Sequence, residues 1–283
     1  MLEIVQVQED IDDIGGLEHL KTWLIRKGKI FHHLDHAIKA GVDLPKGLLL
    51  VGMPGCGKSL AAKATGKLFD VPLLRLDIGK LFGKYVGESE ENMRKALKTA
   101  EAVSPCVLWV DEIEKAFSGI GDSGSGNSIT TRLFGKFLTW MQEKDSTVFV
   151  VATANDISTL PAEFLRKGRF DDLFSVDLPN REERQKILEI HLKKRGKYHL
   201  NIDTIQLAKA TDGFSGADLE SVVKEVIENV YIEGRQLVTT KDLLMVMNQT
   251  KSISASLKEK IEQIRKSMEK VDIKPASIQE SSS

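Results

Sequence analysis

Cysteine is scarce, with only Cys56 and Cys106 in 283 residues. Two thiols cannot build a disulfide framework or a thiolate zinc site, and neither belongs to a CxxC pair. A reducing compartment follows, cytoplasm or plastid stroma. Excess charge is also missing. Lysine plus arginine number 40 against 41 acidic residues, for a net charge of -1, which weighs against a general nucleic-acid binder. No apolar run approaches membrane-spanning length, the longest lying around GLLLVGM, so no membrane role is expected. The opening MLEIVQVQEDIDD is neither a signal peptide nor an Arg-rich transit peptide. HExxH is absent, so no fused zinc protease is expected, and no internal repeat is visible.

What is present is an alternation of helices and strands. Residues Leu17 to Ala40 predict a helix with an apolar face, interrupted at Gly28. His32, His33 and His36 on it read as surface histidines without a supporting metal pattern. Strands follow at 47–52, 72–78, 106–112, 147–156 and 174–179, separated by helical stretches. Near-continuous apolar strands between helices predict an α/β fold with a parallel sheet covered by helices on both faces. Beyond Pro179 the pattern becomes helical throughout. The expected organisation is therefore a large α/β domain at 1–179, a small helical domain at 180–269 and a polar, Ser-rich disordered tail at 270–283.

The segment from Gly52 to Ser59, GMPGCGKS, fits G-x-x-x-x-G-K-[ST] between a predicted strand and a predicted helix. Its glycines let backbone N–H groups curl around phosphates at a helix N-terminus. Lys58 should neutralise the β- and γ-phosphates, and Ser59 should offer its hydroxyl to Mg²⁺. Cys56 fills a variable loop position and is not a nucleophile. Further on, CVLWVDE ends a buried strand with adjacent acids. Asp111 fits a carboxylate that holds Mg²⁺, and Glu112 is placed to deprotonate the attacking water. Neither NKxD nor LSGGQ occurs, which weighs against a GTPase and a transporter-type ATPase. VVATAND ends a strand on Asn155, aimed at the γ-phosphate region, and EFLRKGRFDD carries Arg166 and Arg169. Two arginines near a helix end also suit an ordinary surface.

With these motifs in order, the chain resembles an AAA+ ATPase of the AAA clade proper, the group of the proteasomal ATPases, katanin, spastin and the cell-division-cycle ATPases. The resemblance runs from IDDIGGLEHLK to GFSGADLESVV, and within the group it is most similar to bacterial and plastid-type proteins. It implies a P-loop NTPase domain followed by a small helical lid, with ATP and Mg²⁺ as cofactors. It implies that Asp13, Ile14 and Gly15 cup the adenine and that Pro54, Gly55, Cys56, Gly57, Lys58, Ser59 and Leu60 hold the phosphates. It places His191, Gly216 and Ala217 of the lid near the nucleotide, and makes Asn155 a sensor and Arg166 and Arg169 fingers acting on a neighbour's nucleotide. Where relatives often carry a third arginine, Asp172 stands. Asp77 occupies a position from which relatives hold the catalytic glutamate inactive.

The resemblance further implies a homo-hexameric ring with a central pore and a protein client. Lys84, Tyr85 and Val86, flanked by Gly83 and Gly87, stand where relatives display the first pore loop. An aromatic side chain there offers contact area that tolerates many sequences. The Gly/Ser-rich stretch at 118–128 reads as a second pore loop or a linker. The leading expectation is an ATP-driven protein remodeller or unfoldase. A regulatory, activase-like ATPase with one dedicated partner fits the same core, and a nucleic-acid motor fits it less well.

Overall fold

The near-continuous apolar runs become the middle of one sheet. A computed structural model describes residues 1–81, 88–116, 126–166 and 168–278. Its first part comprises β1 (Leu2–Val5), α1 (Glu18–His32), α2 (Leu34–Lys39), β2 (Gly47–Gly52), α3 (Lys58–Phe69), β3 (Leu73–Leu76), α4 (Glu88–Val103), β4 (Cys106–Val110), α5 (Gly126–Glu143), β5 (Val148–Ala154) and β6 (Asp172–Val176). Then come α6 (Arg181–Lys194), α7 (Thr204–Ala210), α8 (Gly216–Ile232), α9 (Thr240–Gln249), α10 (Ile253–Ser256), α11 (Lys258–Met268) and β7 (Lys274–Pro275). The sheet order is β1-β3-β4-β5-β2-β6-β7, parallel throughout except where β1 meets β3. Every residue of β2, β4 and β5 is buried, as expected for a sheet covered by helices on both faces. The pairs Val110↔Ala152 and Val51↔Ala154 set the C-terminal ends of these strands side by side. Open α/β sheets bind ligands at that edge.

α1 and α3 pack over β5 through aromatic rings. The Phe31 and Phe69 centroids lie 4.6 Å apart, and Phe69 lies 5.0 Å from Phe149. α1 continues through Gly28, where the sequence predicts an interruption. A Cβ at Gly28 would approach the Phe69 ring to 3.3 Å, so the glycine lets the two helices close up. The break falls at His33. The lid helices have a second core of Leu188, Leu192, Leu219, Val223 and Leu243. Their starts are set by Asn180, Asp203, Ser215 and Thr239, whose side chains each accept a first-turn N–H.

The end of the chain departs from expectation. Ile261, Ile264 and Met268 of α11 belong to the sheet's core, not the lid's. Residues 270–278, expected to be disordered, return to the sheet edge, where β7 pairs with β6 and Ala276 is fully buried. The Ala276 N–H donates to Ser175 O at 2.9 Å, and Leu20 N–H donates to Ala276 O at 3.1 Å. Arg265 spans both oxygens of Asp177 at 2.9 and 3.0 Å. Polar composition hides this because only a few residues need burial, and their partners lie far away in sequence. β1 is likewise unpredicted, since its pairing with β3 alone makes it a strand.

Ile264 is 1% exposed. Ile264→Ala should lower the unfolding free energy by about 2–5 kcal/mol, read from the urea midpoint. An unchanged midpoint would show that α11 is not part of the sheet's core.

Candidate nucleotide site

The loop between β2 and α3 is built to hold an anion. Gly57 takes φ 91° and α3 begins without a side-chain cap, which leaves first-turn N–H groups and the positive helix end facing the loop. Lys58 is only 6% exposed. Its ammonium donates to Gly52 O at 2.8 Å and Met53 O at 2.7 Å and makes no ion pair among the described residues. Burial pulls its pKa from 10.5 down to about 8, against the raising influence of Cys56, Glu114, Asp111 and Glu112. A buried ammonium with carbonyl acceptors alone suits a polyphosphate, which supplies the counter-charge. Beside it the Cys56 thiol donates to Pro54 O, and burial pushes its pKa up to about 12. At that value it is no nucleophile at neutral pH.

The ends of β4 and β5 face this cradle. Ser59 Oγ donates to Asp111 Oδ1 at 3.1 Å, and the same oxygen accepts from Thr153 Oγ1 at 2.7 Å. Arg75, stacked over the Trp109 ring at 4.9 Å, lies 3.6 Å from Asp111 Oδ2. Glu112 follows the strand in the left-handed region at φ 49°. Its Oε1 accepts from Asn155 Nδ2 at 3.3 Å, and its Oε2 is ion-paired with Lys115. Glu114, 8% exposed, accepts the Asn155 N–H at 3.0 Å and its Nδ2 at 2.9 Å on one oxygen. Asn155 is thereby fixed between two carboxylates.

The lid and the N-terminal segment close the other side. Gly15 lies so near α6 that a Cβ would sit 2.8 Å from Ile187 N, so no other residue fits there. Leu17 N–H donates to Glu183 Oε1 at 2.9 Å, and Lys194 pairs with Asp13 at 3.0 Å. Ala217 N–H donates to Gly55 O at 3.0 Å, which ties the start of α8 to the phosphate loop. His191 is held below the ordinary imidazole range, chiefly by burial, and so is neutral at pH 7. The cleft between the two sides, about 510 Å³, is lined by Asp13, Ile14, Gly15, Pro54 through Leu60, Asp111, Glu112, Asn155, His191, Gly216 and Ala217.

The structure does not bring every expected residue here. Arg166 is exposed and Arg169 half-buried. Neither lines the cavity, and neither has an ion pair among the described residues. Asp172 accepts from the Trp23 indole at 2.7 Å and pairs with Lys274 at 2.6 Å, so the place of a third arginine is occupied by a contact within the chain. Asp77 pairs with Lys80 rather than with Glu112. Lys84, Tyr85 and Val86 lie outside the described residues, as do 118–125 of the second loop candidate. Sequence reasoning misses Thr153, Arg75, Lys115, Glu114 and Glu183. Only Thr153, a lone hydroxyl in an apolar strand, carried a readable signal.

Fold and site together define a P-loop nucleotide hydrolase with a helical lid. Residues 48–178 match the ATPase family associated with various cellular activities (AAA), and residues 201–245 match the AAA+ lid domain. The chain belongs to the AAA ATPases. It is 45% identical over 269 residues to the AAA domain-containing protein ycf46 of Pyropia yezoensis, covering 94% of this chain and 53% of that protein. It is 33% identical over 250 residues to the proteasome-activating nucleotidase of Aeropyrum pernix, covering 85% and 59%. The ATP-dependent zinc metalloprotease FtsH of Cyanidium caldarium is 34% identical over 236 residues, covering 82% and 38%. The chain spans about half the length of the ycf46 proteins it matches. Among the described residues no helix is long and apolar enough to cross a membrane.

The Lys58 shift has a signed consequence. Between pH 8 and 10.5 the unfolded chain holds a proton that the folded, nucleotide-free chain does not, so stability without nucleotide rises with pH there. Bound polyphosphate favours the ammonium. Nucleotide affinity should therefore fall about tenfold per pH unit above 8, with proton uptake on binding at pH 9. Calorimetry in buffers of different ionisation enthalpy measures both; flat affinity from pH 7 to 9.5 contradicts the assignment.

Proposed function

We propose that the chain is the motor module of a homo-hexameric ring that hydrolyses ATP between neighbouring subunits and draws a protein client through a central pore. A division of charge carries this reading. One cavity gathers Lys58, Ser59, Asp111, Glu112 and Asn155, while Arg166 and Arg169 lie outside it at the surface. Arginines so placed serve a nucleotide bound by another subunit. The names of the proteasome-activating nucleotidase and of FtsH point to ATP-dependent work on proteins in those relatives.

In this reading Lys58 and the loop N–H groups hold the β- and γ-phosphates, with the base between Ile14, Gly15 and His191. Ser59 Oγ and Asp111, hard oxygens 3.1 Å apart beside the cradle, fit Mg²⁺, which would supply positive charge to the phosphate oxygens. Glu112 accepts a proton from water as the water oxygen bonds to the γ-phosphorus. The bond to the β–γ bridging oxygen breaks, leaving ADP and phosphate. Opening of the ion pair with Lys115 would free Glu112 Oε2 for that water. Asn155, held by Glu114, orients the glutamate. Arg166 and Arg169 of the neighbouring subunit stabilise charge on the transferring group. Lys84, Tyr85 and Val86 grip the client. The compartment is reducing, cytoplasm or stroma, in keeping with two buried free thiols.

Glu112→Gln should retain ATP binding and lose about 100- to 10,000-fold in turnover; normal hydrolysis would sink the assignment. Arg166→Ala and Arg169→Ala should each lose about a thousandfold or more. Mixing either with Glu112→Gln subunits should restore turnover, because some interfaces then combine an intact glutamate with an intact arginine. Absence of recovery argues against action in trans. Clients captured by Glu112→Gln in ATP should be released by adding Tyr85→Ala, and capture indifferent to Tyr85 contradicts the pore assignment. Unrelated unstructured tags should be captured too, whereas capture of one dedicated partner alone would favour an activase-like role.

A further inference from the structure

Thr153 is 1% exposed in a strand whose other residues are Val, Phe and Ala. A buried hydroxyl in such a strand needs partners. The parallel register Val110↔Ala152 carries it level with the two acids that follow β4. There Thr153 Oγ1 accepts the Glu112 N–H at 2.9 Å and donates to Asp111 Oδ1 at 2.7 Å. One hydroxyl can do both, having one proton and two lone pairs.

The Glu112 backbone requires such support. A φ of 49° is uncommon for a side chain of this size, and conformations of that kind persist where the surroundings hold them. Two hydrogen bonds do so. Thr153 takes the Glu112 N–H, and Lys115 N–H donates to Glu112 O at 2.9 Å. The other end of the same hydroxyl orients Asp111, whose Oδ1 also receives Ser59 Oγ at 3.1 Å. A single group therefore ties the Glu112 backbone to the Asp111 carboxylate.

We propose that Thr153 is a positioning residue for ATP hydrolysis, its hydroxyl locking the Glu112 backbone and the Asp111 carboxylate into one rigid arrangement. It acts through those residues, and the inference rests on Glu112 being the general base. A hydroxyl that only satisfied a strand end would influence stability. A positioning hydroxyl influences the chemical step as well.

Three variants of the full chain separate the two. Thr153→Val keeps shape and strand preference and removes both hydrogen bonds. Thr153→Ser keeps both and removes a methyl group. Thr153→Ala serves if the valine variant folds poorly. The measurements are steady-state ATP turnover, binding of a fluorescent ADP analogue in EDTA, and the thermal midpoint. Thr153→Val should lower kcat by about 10- to 100-fold, with analogue affinity unchanged and the midpoint lowered because the Glu112 N–H loses its acceptor, and Thr153→Ser should restore kcat. Wild-type kcat in Thr153→Val overturns the proposal. So do equal losses in the valine and serine variants, or a loss confined to nucleotide affinity. Glu112→Gln measured alongside locates any failure. If it hydrolyses normally, the base assignment is wrong; if it is inactive while Thr153→Val is not, only the positioning role falls.

Discussion

A lysine ammonium buried to 6% exposure, with two backbone carbonyls as its acceptors, sets the terms for everything around it. Its position follows from β2, which ends in the middle of the sheet and hands the chain to an uncapped helix. An unpaired buried charge is unfavourable unless an anion joins it. The two acids that follow β4 are not free to do so. Asp111 is held by Ser59, Thr153 and Arg75, and Glu112 by Asn155 and Lys115. The acids keep their places beside the cradle, and the cradle keeps its charge for phosphate.

The same edge is where three distant parts of the chain are joined. The N-terminal segment reaches the lid through Leu17 and Glu183, and the lid reaches the phosphate loop through Ala217 and Gly55. After the lid, α11 returns to the sheet and Arg265 grips Asp177, itself part of the cavity wall. The lid is thus tied to the large domain at several points around the cavity. Any change in the cavity that shifts Gly55, Asp177 or Glu183 is felt at one of them.

Legibility in the sequence followed the range of the interaction. The phosphate loop could be read because strand, glycines, lysine and helix lie within a dozen residues and the glycine conformations are dictated locally. Asp111, Glu112 and Asn155 could be read because each ends an apolar run at the sheet's ligand edge. Arg75 and Lys115 could not, since a charged residue on a strand end or after one looks like any solvated side chain. Glu183 reads as a helix-capping acid, which it also is, and nothing local reveals its second partner at Leu17. Residues 270–278 read as disordered because their order comes from β6 and α1, some hundred and more than two hundred residues upstream.

By itself, then, the sequence determined the fold class, the phosphate loop and the identity of the acids, since periodicity and short motifs are local properties of the chain. Only the tertiary structure decided which groups hold those acids, where the lid's last helix belongs, and that Asp172 is bound within its own chain by Trp23 and Lys274. Strand register decides these matters. A shift of one residue between β4 and β5 would turn Thr153 away from Asp111, and the pairing of side chains across strands is settled by packing.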